Sequence, residues 1–103
     1  MRGACFRVYV TEREKHRGEL LYEWILEQAR GLGIRGGSAF RAVAGYGRHG
    51  DLKDEGFFEL AGEVPMMVEF IATEVQVERL LTLLKTEKLS LFHVKSTVTF
   101  DTT

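Results

Sequence analysis

The sequence predicts an α+β fold of the ferredoxin-like βαββαβ kind, a four-stranded antiparallel sheet with two helices on one face. Three observations predict it. Four segments alternate apolar and polar residues with period two, as strands do. Two segments with helical period lie between the first and second strands and between the third and fourth. Two right-handed βαβ crossovers interleave in one chain only in the split arrangement, which makes the first and third strands central. A chain of 103 residues is enough for a single domain, 1–103, and not for two.

Phe6-Arg7-Val8-Tyr9-Val10 opens the pattern as the first strand. The charged run Thr11–Arg17 breaks it and reads as a solvated loop ending at Gly18. From Glu19 to Leu32 the period lengthens. Leu21, Ile25, Ala29 and Leu32 share one helical face, with Trp24 beside them, and glycines at 31 and 33 stop the helix. Ser38–Ala44 follows as the second strand. Residues 45–64 hold five glycines and a charged centre, too long for a hairpin turn, and such a loop is usually functional. Pro65 fits the start of the third strand, Met66–Ala72, where no ladder donor is needed. Thr73 can cap a second helix over Glu74–Thr86, whose Val77, Leu80, Leu81 and Leu84 stand at i, i+3, i+4 and i+7. Leu91–Phe100 alternates again as the last strand.

Each strand has an apolar side expected beneath the helices: Phe6, Val8 and Val10; Phe40, Ala42 and Ala44; Met66, Val68 and Phe70; Phe92, Val94, Val98 and Phe100. The other side would carry Arg7, Tyr9, Arg41, Val43, Met67, Glu69, Ile71, Leu91, His93 and Lys95. Large apolar groups mixed with opposite charges are the composition of a subunit contact rather than of a wetted sheet. Arg7, Tyr9, Met67, Glu69 and Ile71 are the interface candidates, with Arg7 and Glu69 on neighbouring strands. An open, solvated sheet is the alternative.

The balance of 14 basic and 15 acidic residues, net charge −1, argues against a nucleic-acid partner. Cys5 is the single cysteine and has no internal partner. No leader-like segment and no apolar run of roughly 20 residues is present, so a cytoplasmic protein is expected. His16, His49 and His93 fall in separate elements without metal-ligand spacing, so no metal site is expected. No catalytic residue stands out, and the expected protein is not an enzyme. Asp51, Asp54 and Glu55 form a solvated charge run, not a rigid acid–base pair. Acylphosphatases share the fold class but need a catalytic asparagine, and this sequence has none. RNA-binding domains of the same topology need exposed aromatics on the central strands, in a pattern that Met66–Ala72 lacks.

The most informative stretch is Arg41-Ala42-Val43-Ala44-Gly45-Tyr46-Gly47-Arg48-His49-Gly50. Gly45 and Gly47 let the backbone approach a ligand or a neighbouring chain. Their N–H groups beside Arg48 and His49 can form an anion-binding nest. This is neither a P-loop, since no Gly-Lys-Ser/Thr follows, nor a dinucleotide fingerprint, since no helix opens after it. A flexible loop base is the plainer alternative.

Residues 34–50 resemble the strand that leads into the T-loop of PII signalling proteins, with its Gly-Phe-Gly-Arg arrangement. Glu12, Lys15, Gly18, Leu21-Tyr22-Glu23, Ile25 and Ala29 are closer to the PII-like domain of unknown function 190. The resemblance implies a homotrimer with sheets facing inward and ligand clefts between subunits. It implies an adenine nucleotide such as AMP or ADP, or a related anion, at the loop base, with no cofactor required. The long loop, 48–63, would then reorder to contact a protein or a membrane transporter. The nucleotide- or anion-binding residues implied are Gly47 and His49, with Arg41, Gly45 and Arg48 added on physical grounds. Thr86–Ser90 lacks the glycines of the PII phosphate loop, and Phe100–Thr103 lacks its basic C-terminal segment. A mononucleotide is therefore easier to accommodate than a triphosphate. A CutA-like metal-binding trimer and a ligand-free partner-binding trimer are the alternatives.

Overall fold

A computed structural model of the chain describes residues 1–46, 53–54 and 64–103. Its elements are β1 (Arg2–Thr11), β2 (Lys15–His16), β3 (Glu19–Leu20), α1 (Leu21–Gly31), β4 (Gly37–Arg41), β5 (Ala44–Gly45), β6 (Lys53–Asp54), β7 (Pro65–Ala72), α2 (Glu74–Thr86) and β8 (His93–Thr99). The main sheet has the order β4-β7-β1-β8 and is antiparallel throughout, so β1 and β7 are central as the crossover argument requires. Both helices cover one face. Phe6, Val8, Val68 and Phe70 meet Leu21, Ile25, Val77 and Leu80 there, all fully buried.

Helix ends follow local chemistry. Thr73 accepts from the Gln76 N–H at 3.1 Å and Gln76 Oε1 accepts from the Thr73 N–H at 3.0 Å, a complete capping box. Thr73→Ala should cost about 1 kcal/mol in a urea-unfolding measurement. Gly33, at φ +86°, ends α1, and the Ile34 N–H returns to the Ala29 carbonyl. The corresponding position after α2 is Lys88, at φ +60°, with the Leu89 N–H on the Leu84 carbonyl.

The charged run after β1 is not simply a loop. Lys15–His16 and Glu19–Leu20 pair as a hairpin around Arg17 (φ +52°) and Gly18 (φ +82°). Two central residues with positive φ define the tight turn that matches strand twist.

Both edge strands are in the opposite phase to that expected. Across β1 and β8, Phe6 faces Lys95, Val8 faces His93 and Arg7 faces Val94. Phe92, Val94, Val98 and Phe100 therefore lie on the face away from the helices, and His93 and Lys95 on the helix face. Side chains agree. His93 lies against Phe6 with ring centroids 5.6 Å apart, Lys95 pairs with Glu78 of α2, and Phe92 packs on Tyr9 at 5.5 Å. The Phe100 ring closes over Gly3, on the open face. Across β4 and β7, Phe40 faces Met67, whereas Gly37, Ala39 and Arg41 face Phe70, Val68 and Met66. Phe40 is thus on the open face and Arg41 is on the helix side. Small residues are needed under α1: a Cβ on Gly37 would stand 2.4 Å from the Phe70 ring. The second strand also stops at Arg41, and Ala44 pairs with Asp54 instead.

The open face gains apolar surface from these inversions. Tyr9, Phe40, Ile71, Phe92 and Val94 are each 37–73% exposed on it. At its centre the Arg7 Nε donates to Glu69 Oε2 at 2.7 Å, joining two residues that the sequence places on neighbouring strands.

Candidate functional site

The candidate loop base is built where β1, β4 and β7 end together. The Glu12 N–H donates to the Val64 carbonyl at 2.8 Å and the Ala42 N–H to the Pro65 carbonyl at 2.9 Å, fixing both ends of segment 42–64 on the sheet. Arg41 leaves the sheet edge here. Its Nε lies 2.6 Å from Glu12 Oε2 and its Nη2 3.3 Å from Oε1, a two-pronged pair that sets the direction of the guanidinium. Tyr22, on the first turn of α1, belongs to the same group. Burial pushes its hydroxyl pKa up, the Glu23 and Glu12 carboxylates add to this, and Arg41 opposes it.

Arg41 and Gly45 are therefore close to a common loop base, while Gly47, Arg48 and His49 lie outside the described residues, as does most of the loop 48–63. Among the described residues a Cβ at Gly45 would meet nothing within 4 Å. Glu12 is the site residue that reading by residue type missed: one of two acids in a charged run gives no sign of its partner 29 positions on. The interface candidates Arg7, Tyr9, Met67, Glu69 and Ile71 all share the open face, while Val43 lies just beyond β4 and is 71% exposed.

A second ionic cluster ties the hairpin to the end of α2. Glu87 accepts from Arg17 Nε at 2.5 Å and Nη2 at 3.1 Å, and His16 Nε2 stands 2.8 Å from its Oε1. The Arg17 guanidinium first, then His16, hold the Glu87 carboxyl at about 2, well below the ordinary 4.5. A carboxyl depressed on folding stabilises fully above its unfolded value and loses that stabilisation as pH falls through the folded one. Unfolding curves of Glu87→Gln and the parent should therefore converge between about pH 4.5 and 2. The Leu21 N–H donates to the Glu14 carbonyl at 2.7 Å, and the Thr11 N–H to Glu14 Oε1 at 3.3 Å, so the same hairpin is tied back to the start of α1 and the end of β1.

Among the described residues no three metal-ligating side chains converge, and no helix is long and apolar enough to cross a membrane.

The fold that carries this site is PII-like. It superposes with a TM-score of 0.68 on a structure described as a PII-like signalling protein from Thermus thermophilus, at 18% identity over 94% of this chain and 87% of that one. It also matches CPII, a nitrogen regulatory PII-like protein from Thiomonas intermedia solved with ADP, AMP and bicarbonate. That match has a TM-score of 0.65 at 15% identity, covering 95% and 87% of the two chains. The family model of the domain of unknown function 190, DUF190, described as "Uncharacterized ACR", matches residues 3–95. The chain is 34% identical over 79 residues to a UPF0166 protein of Aquifex aeolicus, covering 77% of this chain and 75% of that one. A UPF0166 protein of Methanocaldococcus jannaschii is 27% identical over 81 residues, covering 79% and 74%. The chain belongs to the DUF190 family.

Proposed function

We propose that this protein is a PII-like regulator, a homotrimer whose sheets face inward. It would bind an adenine nucleotide such as AMP or ADP, or a related anion, in clefts between subunits. The observation that carries the reading is the open sheet face, five exposed large apolar side chains around an Arg7–Glu69 pair, with the Arg41–Glu12 loop base at the end of the same sheet. Such a face stays out of water when copies pack on it. The likeness in fold to a PII-like protein solved with ADP and AMP supports the choice of ligand. Arg41, Gly45, Gly47, Arg48 and His49 are the proposed contacts. Arg41 is already paired with Glu12, so in this reading it shapes the cleft while Arg48 supplies the charge that meets phosphate. Loop 48–63 is the proposed effector segment, coupling ligand to a protein or transporter partner through a difference in partner affinity between bound and free states.

The test is thermal shift with AMP, ADP, ATP and cyclic AMP alongside light scattering. A bound nucleotide raises the melting temperature by mass action. Arg48→Ala should reduce nucleotide affinity about tenfold, as expected for loss of a charge-assisted contact, with particle mass unchanged. A trimer that responds to no nucleotide supports the ligand-free, partner-binding alternative. A response to copper or zinc alone supports the CutA-like one.

A further inference from the structure

The structure assigns a second ligand site, separate from the loop base and independent of the nucleotide reading. We propose that the pocket between the end of α2, the 88–91 segment and the start of β8 binds a small amphiphilic monoanion, a carboxylate on a short aliphatic or aromatic body. Its volume is about 400 Å³, within the usual range for small-molecule sites. The floor is apolar, made by Val8 of β1 with Leu81, Leu84, Leu89 and Leu91. The polar groups at the wall are Lys85, Lys88, Ser90 and His93, and among the described residues no carboxylate lines it. That is notable in a chain with more acidic than basic residues.

The acids nearest in sequence are occupied elsewhere. Glu87 is held by Arg17 and His16, and Glu78 is held by Lys95, with Lys85 acting on it at longer range. Two ammonium groups and a hydroxyl therefore border a greasy floor, which is the complement of one negative charge on an apolar body.

An independent observation concerns Lys88. It sits at φ +60° at the helix terminus, a position where glycine is favoured because a side chain strains the backbone. Backbone strain at a residue that lines a pocket points to a role for its side chain. A glycine at this position would make a more stable helix end.

The experiment is methyl NMR of leucine-labelled protein titrated with octanoate, octanol and octylammonium, matched in chain and different in charge. Octanoate should shift the Leu81, Leu84, Leu89 and Leu91 methyls saturably, ahead of octanol and well ahead of octylammonium. Lys88→Gly is the decisive variant, because it should unfold at an equal or higher urea concentration while weakening octanoate about fivefold, the scale of one partly screened charge. Lys85→Ala in that background should weaken it further. The proposal is overturned by any of three results: these methyls unmoved by millimolar octanoate, octylammonium binding equally well, or an unchanged octanoate Kd in Lys88→Gly.

Discussion

Ile71→Arg is expected to convert the assembled particle into single chains. Ile71 lies on central strand β7 opposite Cys5, 45% exposed in the isolated chain and beside the Arg7–Glu69 pair. If the open faces pack on one another, a second guanidinium there competes with Arg7 for Glu69 and leaves one buried cation without a carboxylate of its own. An unpaired buried charge costs roughly 3–5 kcal/mol, so each contact should weaken by about a hundredfold to a few thousandfold. Light scattering at micromolar concentration reads the change directly. Val75→Arg is the control, since Val75 is 60% exposed on α2, on the opposite side of the sheet, and its change should leave the mass alone. An unassembled parent protein would refute the trimer. A parent trimer unaffected by Ile71→Arg would place the contact on another surface.

Gly37→Ala is expected to destabilise the fold by about 2 kcal/mol, the usual scale for overpacking a filled core. A Cβ there would stand 2.4 and 2.6 Å from two Phe70 ring carbons and 3.1 Å from a Leu26 methyl carbon. The ring cannot retreat, since Phe70 is almost wholly buried in the core. In a Phe70→Leu background the alanine should cost much less, and the double-mutant cycle should show coupling of about 1 kcal/mol. Additive losses would mean that the backbone of β4, rather than the ring, absorbs the methyl group. The same packing explains why β4 presents glycine and alanine to the helices and turns Phe40 outward.

That outward turn marks the limit of what alternation reveals. Element order, the central strand pair, α2 from Glu74 to Thr86 and its Thr73 cap were legible because period and capping chemistry are local. The phase of β4 and β8 was not. Alternation separates an apolar side from a polar one, and assigning the apolar side to the helices presumes that only one face avoids water. Here the helices bury the middle of the sheet, while edge strand β8 meets α2 through Lys95 and Glu78 and turns Phe92 and Val94 to the other face. At the loop base, Arg41 could be singled out by its place before the glycines, but not its pairing with Glu12, which depends on β1 and β4 ending side by side. The hairpin at 15–20 was hidden because its signal is a backbone conformation, positive φ at Arg17 and Gly18, inside a run that reads only as charge.

Trp24 is the chain's only tryptophan, buried on α1, and the His16 ring stands edge-on to it with centroids 4.5 Å apart. Because Glu87 holds that imidazole in place, the indole is a built-in optical gauge of whether the hairpin remains docked on the end of α2. Its emission can follow undocking in real time without any attached dye, and Glu87→Gln calibrates the reading.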